Sequence, residues 1–150
     1  MSQFLRLTTN LSAVFFLTVF LFSTSVNNAE AAITYVGAGA AVKVGSGNLA
    51  SVGIPSGIAT NDLLIVVLHS RDNVTSTMPA DWTLKLDGNG NTNNRLGIWW
   101  KRTTGTESAP VITHAAGNSS IARMYSFRGV IATWDPFDTV GTVQSNAGSP

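Results

Sequence analysis

Two short stretches of alternating character constrain this chain more than any other feature. In Trp82-Thr83-Leu84-Lys85-Leu86-Asp87 apolar and polar residues alternate one for one. From Arg95 to Thr103 the alternation returns, with Leu96, Ile98 and Trp100 on one side and Arg95, Gly97, Trp99 and Lys101 on the other. A period of two is the repeat of an extended strand, whose side chains point to opposite faces in turn. The Asn/Gly-rich segment from Gly88 to Asn94 separates the two runs, so together they predict a β-hairpin. In this reading Trp82, Leu84, Leu86, Leu96, Ile98 and Trp100 face the core.

The remainder reads the same way. Leu63 to Leu68 is six consecutive apolar residues opened by Asn61-Asp62, which predicts a central strand buried on both faces. Ile33 to Val44 predicts a first strand interrupted by glycine, and Leu49 to Ile54 a short second one, ended by Pro55-Ser56-Gly57. Pro110 to Ala115 and Ile121 to Val130 are further strands, with Pro79 to Asp81, Asn118-Ser119-Ser120 and Asp135 to Asp138 as turns. No stretch beyond residue 31 carries a 3.6-residue amphipathic period, and no fixed-period repeat is present. The predicted fold class is all-β: a jelly-roll-like antiparallel β-sandwich, preceded by a signal-peptide helix.

The signal peptide is read from residues 1–31. Arg6 supplies the positive charge, Leu11 to Phe22 an apolar run too short for an ordinary membrane span, and Ala29-Glu30-Ala31 a small-residue cleavage site. Cleavage is expected after Ala31, releasing a secreted or cell-surface protein; the competing reading is an uncleaved anchor. A chain of 150 residues leaves room for one domain, residues 32–150. Without Arg6 and Glu30 the exported part keeps its net charge of +1, with scattered charges. That argues against a nucleic-acid partner, which wants a concentrated basic patch. The absence of cysteine excludes disulfides, thiolate zinc sites and thiol catalysis.

Several local strings resemble a family of secreted or virion-associated β-sandwich domains found in bacterial surface proteins and phage tail-like proteins. They are Ile54-Pro55-Ser56-Gly57, Asn61 to Val67, Pro79 to Leu84, Arg95 to Arg102, Tyr125 to Val130 and Asp135 to Asp138. The resemblance covers residues 52–143 and rests on turn and core positions, so it speaks to fold and not to chemistry. Asn61 and Asp81 stand where such domains carry Gly; both residue types suit turns. The resemblance also implies further strands beyond Pro150, so the chain is expected to stop in a loop and leave an open sheet edge.

Candidate sites follow from residue types. Trp99, flanked on its face by Arg95 and Lys101, has the composition of a sugar-stacking platform on a sheet; the competing reading covers that face with the second sheet or a neighbouring subunit. Asp87, Asn89 and Asn91 place oxygens at alternate positions, a calcium pattern, but Thr92 and Ile98 stand where a calcium loop needs Gly and Glu. The competing reading is a hairpin loop using Gly and Asn for positive φ. A Ser-His-Asp set can be written from His69 or His114, one of many serines, and Asp62 or Asp72, but no strained nucleophile turn accompanies it, so strand-end histidines are expected. Trp134, beside Asp135-Pro136, is expected to plug a turn. Asp81 with Asp87, or Asp135 with Asp138, show no sign of the shared cleft a glycosidase needs.

The function expected is a non-enzymatic surface or virion-type structural module, without cofactor, that works through a protein partner or self-association. The alternative is a carbohydrate-binding module. Neither nucleic acid nor, after signal cleavage, a membrane is expected as partner.

Overall fold

A computed structural model describes residues 32–49, 51–91, 93–115 and 119–144. The predicted signal peptide and its cleavage site, and the chain end at Asn146 to Pro150, lie outside the described residues.

The described chain is all-β with antiparallel pairing. Its strands are β1 (Thr34–Ala38), β2 (Val42–Val44), β3 (Leu63–Ser70), β4 (Ser76–Thr77), β5 (Thr83–Asn91), β6 (Asn94–Arg102), β7 (Thr113–His114) and β8 (Ser120–Arg128). The large sheet runs in the order β1-β8-β3-β6-β5. β2 continues β1 along the same edge of β8: β1 pairs with Tyr125 to Arg128, β2 with Ser120 to Ala122. The break between them is a close approach of backbones. A Cβ on Gly39 would sit 1.7 Å from the Gly53 carbonyl oxygen, so only glycine lets the two segments touch there. A thin second layer consists of β4 paired with β7, the Leu49–Ile112 bridge and a Val52 to Pro110 backbone bond.

As its six-residue apolar run predicts, β3 is central, paired with β6 and β8. Leu64, Val66 and Leu68 are buried in the core, while Ile65 and Val67 are half-buried on the outer face. Against the inner residues pack Trp99, Ala122 and Met124 from the same sheet, Trp82 from the entry to β5, and Leu49, Val52, Met78 and Ile112 from the second layer and its flanks.

Two expectations for the hairpin are corrected. A bulge at Lys85 shifts the register between Leu84↔Trp99 and Leu86↔Ile98. One extra residue flips every side chain after it, so Leu86 shares the outer face with Ile98 instead of continuing inward from Trp82. Strand β5 also runs on to Asn91, replacing most of the expected Asn/Gly loop with ladder.

On β6 the alternation is real, but the faces are exchanged. Trp99 points into the core at 4% exposure, and Trp100 lies half-buried on the outer face, edge-on to Phe137. There the segment around residues 137–144 folds back along β5 and β6, with Phe137 against Trp100 and Val143 against Gly88. Two half-sandwiched faces leave no polarity contrast across β6 from which its inner side can be read.

Candidate functional site

The proposed platform of Trp99, Arg95 and Lys101 is not assembled. All three share a face of β6, but it is the inner one, and Trp99 is a core residue. Arg95 is committed at one end: its Nε and Nη2 donate to the two Asp87 carboxylate oxygens at 2.6 and 2.8 Å, and Nη1 donates to Asn73 Oδ1 at 2.9 Å. Those Asp87 hydrogen bonds hold the Arg95 pKa above its ordinary value.

The same pairing occupies the one carboxylate of the calcium pattern. Both oxygens of Asp87 face a guanidinium, Asn89 opposes Arg95 across the ladder, and the segment is strand rather than a loop wrapped round an ion. The Asn91 side chain lies outside the described residues. Among the described residues no group of three or more His, Cys, Asp or Glu is placed to hold a metal.

Lys101, at the other end of β6, lies in a cleft of about 670 Å³ bounded by Pro79, Asp81, Trp82, Thr106, Glu107 and Val111. Its Nζ donates to Asp81 Oδ2 at 2.6 Å, lies 2.5 Å from Glu107 Oε2, and stands 5.3 Å from the centre of the Trp82 ring. Glu107 is the buried member at 5% side-chain exposure, and its Oε1 accepts the Thr104 N–H at 3.0 Å; Asp81 is 60% exposed. Burial pushes Lys101 down, but the two carboxylates outweigh it, and its pKa is raised. Burial likewise pushes Glu107 up, yet Lys101, the Thr104 N–H and the Thr103 hydroxyl carry it below its ordinary value. The Lys101 hydrogen bond lowers Asp81. Titrating groups with perturbed pKa values that converge in a cleft make this the candidate site among the described residues.

Sequence reasoning named Lys101 but missed its partners. Glu107 falls in an irregular segment, where no periodicity connects it to β6, and Trp82 was read as plain core. Three of the four carboxylates of the glycosidase-type pairs are held by different cations: Asp81 by Lys101, Asp87 by Arg95 and Asp135 by Lys85. His69, at the end of β3, is exposed.

Trp134 corrects another expectation. It does not plug a turn; it is 90% exposed, with φ of 73°. A left-handed backbone in a bulky residue costs roughly 1–2 kcal/mol, so the turn is held by something else. Arg102 donates to the carbonyls of Asn61, Val130 and Ile131. Lys85 pairs with Asp135 and lies 5.0 Å from the centre of the Phe137 ring, and Asp135 Oδ1 accepts the Phe137 N–H. Ile131, in the same turn, is 61% exposed.

Comparison of the chain with protein-family models, with curated proteins and with solved structures finds no match.

Proposed function

We propose that the chain is an exported, non-enzymatic module of cell-surface or virion type, which works through contact with a protein partner or a second copy of itself. The observation that carries this reading is Trp134, held at 90% exposure on a braced turn. An exposed tryptophan on a fixed backbone loses little entropy on binding and is among the strongest interface anchors. Ile33, Tyr35 and Ile131 are exposed at the same end of the large sheet, where Thr34 pairs with Arg128 and Leu63 pairs with both Phe127 and Arg102. The run of residues 1–31 supports export, and the family resemblance supports the module class. The test is the distribution of the exported protein between the cell surface and the medium. Trp134→Ala is expected to move it to the medium with an unchanged far-UV circular dichroism spectrum; unchanged surface retention contradicts the reading.

The Lys101 cleft favours a second reading, carbohydrate binding in the cleft at the end of β6 rather than on the Trp99 ring. Asp81 offers an exposed acceptor, Lys101 a fixed donor, Thr106 a hydroxyl, and Pro79 and Val111 apolar flanks. Sugars need such a mixture of directed polar groups and flat apolar surface. Affinity electrophoresis against cellulose, chitin, starch and xylan tests it: retardation by one of them that is lost in Asp81→Asn supports the reading, and no retardation by any removes it.

A further inference from the structure

We propose that Ser76 is an activated nucleophile that accepts an acyl or phosphonyl group, with His114 as its base and Asp72 positioning that base. This goes beyond the contact reading and is independent of Trp134, because it requires only a stoichiometric reaction.

Ser76 and His114 stand directly opposite each other in the small sheet. Ser76 Oγ lies 2.8 Å from His114 Nδ1, and His114 Nε2 lies 3.2 Å from Asp72 Oδ2. An ionised carboxylate only accepts hydrogen bonds, so Nε2 carries the ring proton and Nδ1 presents its lone pair. The Ser76 hydroxyl therefore donates to Nδ1, which is the arrangement a general base requires. The ring nitrogens are used in the reverse order from the serine proteases, but the roles are defined by geometry rather than by which nitrogen serves.

The base and the carboxylate behind it are each fixed from a second direction. Asp72 Oδ1 accepts the Val74 N–H at 3.1 Å, and the His114 backbone N–H donates to Asn48 Oδ1 at 3.0 Å. The His114 side chain has no solvent exposure, whereas Ser76 is half-buried and keeps contact with solvent between the exposed Thr75 and Thr77. A dry imidazole, its proton directed to a carboxylate and its other nitrogen hydrogen-bonded to the hydroxyl of a half-buried serine, is the core of a nucleophilic serine site.

With a carboxylic ester the step balances as follows. The Ser76 Oγ–carbon bond forms, the ester C–O bond breaks, and the Ser76 proton passes to His114 Nδ1 and on to the departing alkoxide, which leaves as the alcohol. With a fluorophosphonate the P–F bond breaks and hydrogen fluoride leaves in the same way.

The experiment is incubation of the exported chain with a fluorophosphonate, followed by intact mass and peptide mapping. One adduct per chain, on Ser76, is expected. Ser76→Ala should abolish it while the chain keeps a cooperative urea transition, at a lowered midpoint because His114 Nδ1 loses its donor. His114→Gln should slow labelling by at least about 10²-fold, the usual contribution of a general base. Asp72→Asn should do the same for a different reason: its amide donates to Nε2 and drives the ring proton to Nδ1, a change read directly in the His114 ring ¹⁵N shifts. If His114→Gln fails to fold, the Ser76 and Asp72 variants carry the test. No adduct on the folded wild type, adducts spread over several serines, or undiminished labelling of a folded Asp72→Asn protein with altered ring shifts overturns the proposal.

Discussion

The Trp99 ring lies against Gly97, two residues back along the same strand: a Cβ at position 97 would come within 2.2 Å of Trp99 Cη2. The absence of a side chain at Gly97 is what lets the largest residue of β6 turn into a thin core. Gly97→Ala should therefore displace the indole and cost about 1–3 kcal/mol, the range for overpacked cores. Urea unfolding followed by tryptophan fluorescence measures it, with a lowered midpoint expected.

Asp62 joins the turn before β3 to the end of β8. Its carboxylate accepts the Ala59 N–H at 2.8 Å and both Nε and Nη2 of Arg128, at 2.8 and 2.7 Å, while the residue is only 1% exposed. Those Arg128 hydrogen bonds are the main reason its pKa is lowered. Asp62→Ala removes the acceptor of the Ala59 N–H and of the two Arg128 hydrogen bonds and should cost about 2 kcal/mol. Thermal unfolding checks this; a transition within experimental error of wild type would show that the turn is held by its backbone bonds alone.

The charge clusters give the stability curve two shoulders of opposite sign. Asp62, Asp81 and Glu107 have lowered pKa values in the fold, so their contribution is present above their ordinary values, 3.8 for the aspartates and 4.5 for Glu107, and is lost as pH falls through the folded values. Lys101 is raised, so its contribution is present below its ordinary value of 10.5 and is lost as pH rises through the folded value. The urea midpoint should be flat near neutrality and fall below about pH 4.5 and above about pH 10.5. In Asp81→Asn both shoulders should be shallower.

The alternation over residues 95–103 made strand β6 and the parity of its side chains legible: Arg95, Trp99 and Lys101 do share a face. Which face is inner was not, because both sides of the sheet receive cover, one from the second layer and the other, over β5 and β6, from the segment around residues 137–144. The bulge at Lys85 left no mark, since Lys is as ordinary in a bulge as in a strand. The strand at Leu63 to Leu68 and the turn residue Asn61, with φ of 70°, were readable from apolar run length and from the tolerance of Asn for left-handed backbone. Glu107 and Ser76 escaped notice, and Asp72 was named without its histidine being fixed, because their partners lie far along the chain, joined by loops whose paths no local pattern encodes.

Trp134 bears most of the weight in the functional reading, and photo-crosslinking at that residue tests it most directly. With benzoylphenylalanine at position 134, irradiation of producing cells should give one discrete product, identified by mass spectrometry as a single partner or as a second copy of this chain. The same probe at exposed Thr139 should give none. Monomer alone from position 134, or the same products from both positions, would contradict the account.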